Sequence, residues 1–360
     1  MTEQRTQYSE AELLETHEFE EPLFAGGVRC HGGFDANGKY VSPRTRHRAP
    51  AILAWQARHR EQFGQELLDL PLETWPSHYP NVAQAKLLVR NGVIEPMITT
   101  LTRIGTIEGF GASIRNSVLP DLERCFEEEL AGTATLHLQQ GLYEAHARDE
   151  AGFEGEGGHK QMWFAARDIA FEHPKVEDLT EQIMARMGFP GAGGKLPSAE
   201  QIRKLREQQR ANRLWPDDVD LDLEFSVARM CRLLLIEISA FHTFAWAEEV
   251  LSDTELFAGD GAAARLVSYI RADETPHVEY LKTTLTEMRD RTFVGSSRRK
   301  YKGSDLIGQV WDRSRQNSLG PNREEAMRNA VAEVERALEG HPRRPAILEE
   351  FHALADEPST

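Results

Sequence analysis

With 360 residues, 40% of them hydrophobic and 28% charged, the chain has the composition of a globular protein with a sizeable core. A formal net charge of -16 excludes non-specific nucleic-acid binding and docking on an anionic membrane, so neither is expected as a partner. Cys30, Cys125 and Cys231 are odd in number and far apart, which excludes a disulfide framework or a cysteine-based zinc site. With no signal-peptide core and no apolar run of spanning length, the expectation is a cytoplasmic protein.

Residues 1–45 read as an irregular, poorly packed lead-in, because Glu10 to Glu21 is acidic and Gly26-Gly27, Gly32-Gly33 and Asn37-Gly38 are turn signals. A helical domain is expected over 46–291. Pro50 suits a first helical position, and Ile52, Trp55, His59 and Phe63 repeat helically towards Leu70-Pro71. A short helix follows from Asn81 to Arg90, and Asn91-Gly92 ends it. A long helix then runs from Val93 towards Val118, with Pro120 beyond it. Its stripe of Met97, Leu101, Ile104, Glu108 and Arg115 places Glu108 at a core-facing position.

Gly132 separates the next helix, from Thr133, whose stripe is Leu136, Gln140, Tyr143, Ala147 and Glu150, with His146 four residues before Glu150. The pattern breaks from Gly152 to Gly158 and restarts at His159 with Met162, Trp163, Ala166, Ile169 and His173. Residues 188–220 read as an insertion. Its Gly188 to Lys195 stretch superficially resembles a phosphate-binding loop, but the spacing is off by one and no strand precedes it. The basic Gln201 to Arg213 run reads as a solvated helix.

Leu221 to Arg291 predicts two long helices joined by a turn near Thr254 to Gly259. The first repeats Met230, Leu234, Glu237, Phe241, Phe244 and Glu248, and the second Leu266, Ile270, Glu274, His277, Leu281, Leu285 and Met288. Residues 292–360 begin with a basic loop, Ser296 to Lys302, and continue as three amphipathic helices from Asp305 to Ala355 that cover the bundle or form a subunit contact. A homodimer is expected, and no period-two strand pattern of any length is found.

Glu237 and Glu274 interrupt apolar stripes, and an unpaired buried carboxylate costs several kcal/mol, so something positive must meet them. The turn between the helices sets the two at nearly the same height, whereas Glu248 and Glu249 miss that height by about 18 Å and read as end-of-helix charges. A glutamate facing a Glu-x-x-His on the neighbouring helix is half of a carboxylate-bridged dimetal site. Glu108 is the counterpart of Glu237 for the other half. Its partner stays open between Glu156-Gly157-Gly158-His159 and Asp149-Glu150, which copies Asp273-Glu274, with Phe153 in the histidine position and His146 or His159 supplying the imidazole. Glu144 is a third candidate. The bland alternative pairs Glu274 with Arg271 or a lysine; His137, His173 and His242 read as surface or hydrogen-bonded residues.

From Val93 to Arg291 these residues resemble the ferritin-like di-iron carboxylate superfamily, where two copies of a Glu, a gap of about three dozen residues and an Asp/Glu-Glu-x-x-His hold six ligands. Glu237 to Asp273-Glu274-x-x-His277 is also similar to the p-aminobenzoate N-oxygenase-like branch, although Ile270 occupies the place of that branch's additional histidine. The resemblance implies an all-α, ferritin-like four-helix bundle with additional N- and C-terminal helices. It implies two iron ions, or manganese or a mixed pair, with O2 as co-substrate, a small organic substrate and an external electron donor. The metal ligands would come from Glu108, His146, Glu150, Glu156, His159, Glu237, Glu274 and His277, and the pocket walls from Tyr143, Phe241, Phe244 and Ile270. Two alternatives stand beside it: a peroxide-consuming dimetal protein of the rubrerythrin or manganese-catalase type, and a non-enzymatic helical protein for metal storage or interaction. The long additions and the lack of a Cys-x-x-Cys module favour substrate chemistry.

Overall fold

The computed structural model describes residues 5–64, 66–68, 75–181, 183 and 198–356. The chain is mostly helical. A first turn of helix, α1 (Glu10–Leu13), leads into three antiparallel strands, β1 (Glu21–Ala25), β2 (Val28–Phe34) and β3 (Tyr40–Val41), in the order β1-β2-β3. Helices α2 (Arg48–Phe63), α3 (Val82–Arg90), α4 (Glu95–Gly111), α5 (Leu122–Cys125), α6 (Ala134–His137), α7 (Tyr143–Ala151) and α8 (His159–Ala170) follow. After α9 (Ala199–Ala211) come α10 (Leu221–Leu251), α11 (Ala262–Asp273) and α12 (Thr275–Arg289). A hairpin of β4 (Thr292–Val294) and β5 (Lys300–Lys302) precedes α13 (Gly303–Leu319), α14 (Pro321–Ala337) and α15 (Arg344–Ala353).

The N-terminal stretch therefore differs from the irregular lead-in expected of it. Its glycines do not leave it loose: Gly32, at φ +75°, packs so closely on the Tyr40 ring that no Cβ fits. The strands are at most seven residues long, and β2 carries Gly32-Gly33, which hides their period. The Gly188 to Lys195 stretch lies outside the described residues, as does part of the expected 188–220 insertion. Within that insertion, α9 carries exposed Glu200–Lys204 and Arg203–Glu207 pairs, the pattern of a solvated helix.

Local chemistry sets the helix limits. Asn81 caps α3 and forms a capping box with Gln84, and the same two side chains reach Leu354 O at 2.7 Å and Phe351 O at 2.8 Å, tying the C-terminal helix to α3. Pro276, in the first turn of α12, restarts the helix that α11 ended at Asp273. Helix α4 stops at Gly111, short of the expected Val118, and tightens into a 3-10 turn over Ala112–Asn116.

Helix α4 packs along α8, α8 along α11, and α11 and α12 along α10, while α7 leans on α4 and α2 on α12. These helices form two apolar clusters, with α2, α7 and α12 in one, α4, α8 and α11 in the other, and α10 in both. One contains Trp55, Tyr143, Leu234, Ile238, Tyr280 and Leu281, and the other Leu101, Trp163, Ala240, Phe244, Leu266 and Ile270. Between them the helices change to charged residues at one level: Glu108 on α4, His146 and Glu150 on α7, His159 at the start of α8, Glu237 on α10, and Glu274 and His277 at the α11–α12 joint. Helix α10 is long and apolar enough to cross a membrane by length and composition, but 56% of its most apolar window is buried inside the structure, and it carries the buried Glu224 and Glu237.

Candidate metal centre

Seven side chains meet in that polar layer, all buried. Helical spacing puts His146 and Glu150 on one face of α7 and Glu274 and His277 on one face at the α11–α12 joint. His159 arrives differently. Helix α7 ends at Gly152, at φ +83°, where a Cβ would lie 2.4 Å from Glu156 O, and the loop closes so tightly that a Cβ on Gly158 would strike Gly152 N and Asp149 O. Strand β2 pins the loop from outside: His31 N donates to Gly157 O and Gly157 N to Arg29 O, both at 2.8 Å. The chain turns back within seven residues, and the first side chain of α8 is the imidazole that the α7 Glu-x-x-Phe lacks. Phe153, in the histidine position, lies partly exposed over the Arg148 guanidinium.

Donor atoms from these residues form two adjacent groups, each within 4.8 Å: His146, Glu150, Glu237 and His277, and Glu150, His159, Glu274 and His277. Glu108 completes the second side, its Oε2 lying 3.5 Å from His159 Nδ1. Other separations are 2.9 Å for His159 Nδ1 to Glu274 Oε1, 3.4 Å for His146 Nε2 to Glu237 Oε1, and 3.4 Å for His277 Nδ1 to Glu150 Oε1. Ligands about 2.1 Å from a shared ion stand about 3 Å apart when they subtend a right angle. Short separations alone would also suit hydrogen bonds, but His146 Nε2, His159 Nδ1, Glu150 Oε2 and Glu274 Oε1 have no hydrogen-bond partner among the described residues. They converge without being aimed at one another. Among the described residues, the ion pairs of Glu108, Glu150, Glu237 and Glu274 are all with histidines. Four buried carboxylates without a lysine or arginine leave a charge that two divalent cations would balance. The donors are oxygen and imidazole nitrogen without thiolate, a set that suits iron or manganese.

The electrostatics of the metal-free cluster are frustrated. Burial, then the charge of Glu150, pushes the Glu108 carboxyl up from 4.5 to about 8, and burial with Glu274 beside it raises Glu237 well above the carboxylate range. Burial, the largest single influence, pulls His159 and His277 down, but their acidic neighbours together outweigh it: Glu274, Glu150, Asp273 and Glu108 take His159 well above an ordinary imidazole, and Glu274 with Asp149 takes His277 to about 9. Protons stand where metal charge would. His146, stacked at 3.9 Å on His277, is held well below the usual imidazole value, by burial first and His277 second.

Behind the cluster the duplicated Asp-Glu dipeptides act crosswise. Each Glu enters the cluster, and each Asp stands behind an imidazole of the other half: Asp149 Oδ2 is 3.0 Å from His277 Nε2, and Asp273 Oδ2 is 3.6 Å from His159 Nε2. Burial would raise both aspartates, but Arg44 and Arg48 hold Asp149 well below its ordinary value, and the facing imidazoles of His159 and His31, the latter hydrogen-bonded, lower Asp273. Sequence reasoning missed Arg44, Arg48, His31 and Tyr40, which all lie in or next to the stretch read as a lead-in. Only the repeated Asp-Glu pointed to an outer layer.

Two carboxylates expected from the sequence lie outside the cluster. Glu156 is partly exposed in the turn of the glycine loop, 3.1 Å from Arg29, because the tight closure at Gly158 directs His159 inward and Glu156 outward. Glu144 pairs with Arg148 at 2.8 Å and Arg115 at 3.4 Å. Arg271, the alternative partner for Glu274, binds Glu248 instead at 2.8 Å. His137 bonds to Thr133 O and Tyr8 N, and His173 is exposed near Asp168. His242 is half-buried, with Nε2 unpartnered among the described residues. Of the expected pocket walls, Phe244 and Ile270 sit in the apolar cluster on the α8 side, and Phe241 is half-buried. Tyr143 sits in the other cluster and bonds to Ser226 Oγ at 3.1 Å.

Gly111 packs directly on the site, since a Cβ there would lie 2.9 Å from Glu150 Cγ and 3.0 Å from its Cδ. Overpacking of this kind costs about 1–3 kcal/mol. Gly111→Ala is therefore expected to displace the Glu150 carboxylate and weaken metal binding about tenfold, at about 1.4 kcal/mol per decade, with helical circular dichroism retained. Unchanged affinity in a metal titration would contradict this packing.

No known family profile matches this chain, and neither curated proteins nor solved structures provide a match.

Proposed function

We propose that the cluster holds two metal ions, iron in the first instance and manganese or a mixed pair as alternatives, within a ferritin-like four-helix arrangement. The chain then acts as an O2-dependent oxidase or oxygenase on a small organic molecule. The observation that carries this reading is the convergence of four glutamates and three imidazoles, with unpartnered donor atoms on His146, His159, Glu150 and Glu274 and no lysine or arginine paired with the glutamates among the described residues. When bound, such a metal pair supplies two-electron chemistry with dioxygen. The residues do the rest. Glu108, Glu150, Glu237 and Glu274 hold charge; His159 and His277 bind through Nδ1 and His146 through Nε2, with His146 Nδ1 kept by the Tyr280 hydroxyl at 3.2 Å. The apolar clusters on either side exclude water, and Ile270 and Phe244, one and two turns along their helices from Glu274 and Glu237, would line the substrate side. An external reductant, a homodimer and a cytoplasmic setting complete the proposal.

Full-length protein produced with iron and manganese available should carry about two metal equivalents, and the iron form should consume O2 in an electrode screen of small amines, arenes and alkenes. Metal below about 0.2 equivalents would overturn the reading, since a two-ion site fills in proportion to its affinity. Peroxide breakdown without O2 uptake would move the protein to the peroxide-consuming class.

A further inference from the structure

Arg44 joins the outer supports of both halves of the cluster. Its Nε donates to Asp149 Oδ1 at 2.6 Å, and its Nη2 lies 3.3 Å from His31 Nδ1. A guanidinium only donates, so His31 Nδ1 must accept, and the ring proton resides on Nε2. That Nε2 then donates to Asp273 Oδ2 at 3.0 Å, beside the Tyr40 hydroxyl at 2.8 Å. Asp149 stands behind His277, and Asp273 faces His159. His31, His159 and Asp273 also bring three donor atoms within 4.8 Å, as a third ion would require. Both nitrogens of His31 are already committed, which assigns that trio to hydrogen bonding. The backbone adds an independent sign: Arg44 is a non-glycine residue at φ +51°, a conformation that costs roughly 1–2 kcal/mol and persists where surroundings demand it.

We propose that Arg44 is a positioning residue which, through Asp149, holds His277 with Nε2 protonated and Nδ1 turned to the metals and, through His31, fixes the Asp273 carboxylate whose charge faces His159 Nε2 at 3.6 Å. The N-terminal sheet is thereby a working part of the centre. This rests on the dimetal reading above. Outer partners of metal-bound imidazoles typically carry about 10- to 100-fold in metal affinity, and one residue here serves two imidazoles.

The test is titration of chelator-stripped full-length protein with cobalt(II) alone, reading affinity and visible ligand-field absorption, in wild type, Arg44→Met, Arg44→Lys and Tyr40→Phe. Arg44→Met should bind cobalt about 10- to 100-fold more weakly with an altered spectrum. Arg44→Lys should fall in between, because it restores the charge but not the two-armed fork. A merely structural role would lower the melting temperature of the metal-free protein and leave affinity and spectrum as in wild type, and that result overturns the proposal. If Arg44→Met does not fold, Tyr40→Phe, which deletes one hydroxyl from Asp273, must weaken binding and shift the spectrum, or the proposal fails. Wild type that binds no cobalt would remove the dimetal reading and this role together, whereas normal wild-type binding with unaltered variants would remove this role alone.

Discussion

In His277→Ala, bound metal should fall from about two equivalents to one or fewer while helical circular dichroism persists. The imidazole contributes to both donor groups, stacks on His146 at 3.9 Å, and lies against Glu274 Oε2 at 2.8 Å and Asp149 Oδ2 at 3.0 Å. Its removal takes away the one nitrogen, Nδ1, that lies within reach of both groups, and leaves Asp149 facing only its arginines. The apolar clusters on either side are untouched, so the helices stay packed at a cost of about 2–5 kcal/mol for a buried truncation with lost partners. Glu156→Gln is the control, because Glu156 sits outside the cluster with Arg29. Plasma emission on purified protein measures both. Equal metal in His277→Ala and wild type would sink the proposed ligand set, and a loss in Glu156→Gln would show that the loop is differently arranged.

Stripped of metal, the protein should lose stability steadily from pH 6.5 to 9, whereas the loaded form should stay nearly flat. Glu108 has a folded value of about 8 against 4.5 unfolded, so the stability from its retained proton is complete below 4.5 and gone above about 8. Glu237 acts in the same direction. His277, at about 9 against 6.5, contributes fully below 6.5 and loses that contribution as pH rises through 9, and His159 follows it. Glu274 is lowered, so its contribution is complete above 4.5 and adds no slope in this window. His146 is lowered as well and matters only below 6.5, where unfolded chains protonate it. A tenfold difference in proton affinity between the folded and unfolded chain is about 1.4 kcal/mol. Each kcal/mol moves the melting temperature roughly 1–2 °C in a chain of this size, so with several groups acting in one direction the expected fall is on the order of 10 °C. Calorimetry in chelator at pH 6.5, 7.5 and 9 checks it; a melting temperature that rises over this range would contradict the burial of these carboxylates.

Helical spacing made part of this centre legible without coordinates. Glu108, Glu237, Glu274 and His277 each interrupt an apolar stripe, and that periodicity is a local property of the chain. The hairpin turn supplied the height match between Glu237 and Glu274. The third imidazole was not decidable, because the choice among His146, His159 and a Glu156-based motif depends on how tightly Gly152 and Gly158 approach, and spacing alone does not show that closure. The outer layer was illegible for another reason. His31 meets Asp273 across 242 residues of chain, and nothing near either residue announces the other. His31 sits on β2 beside Gly32-Gly33, whose turn signal outweighed the strand's alternation. The mostly helical architecture was readable from Pro50 onward; its ferritin-like form rests on the arrangement proposed around the polar layer.

That same distance of 242 residues orders events in time. During synthesis the N-terminal strands emerge first, yet the carboxylate they must grip is made roughly three-quarters of the way along the chain, and loop closure over such a span is slow. Until then His31 and Tyr40 have no Asp273 to meet, although Asp149, the partner of Arg44 and Arg48, is made earlier. On the dimetal reading the outer layer around Asp273 is therefore completed late, when early and later parts of the chain close on each other, and removal of residues 1–48 should weaken metal binding for want of His31, Tyr40 and Arg44.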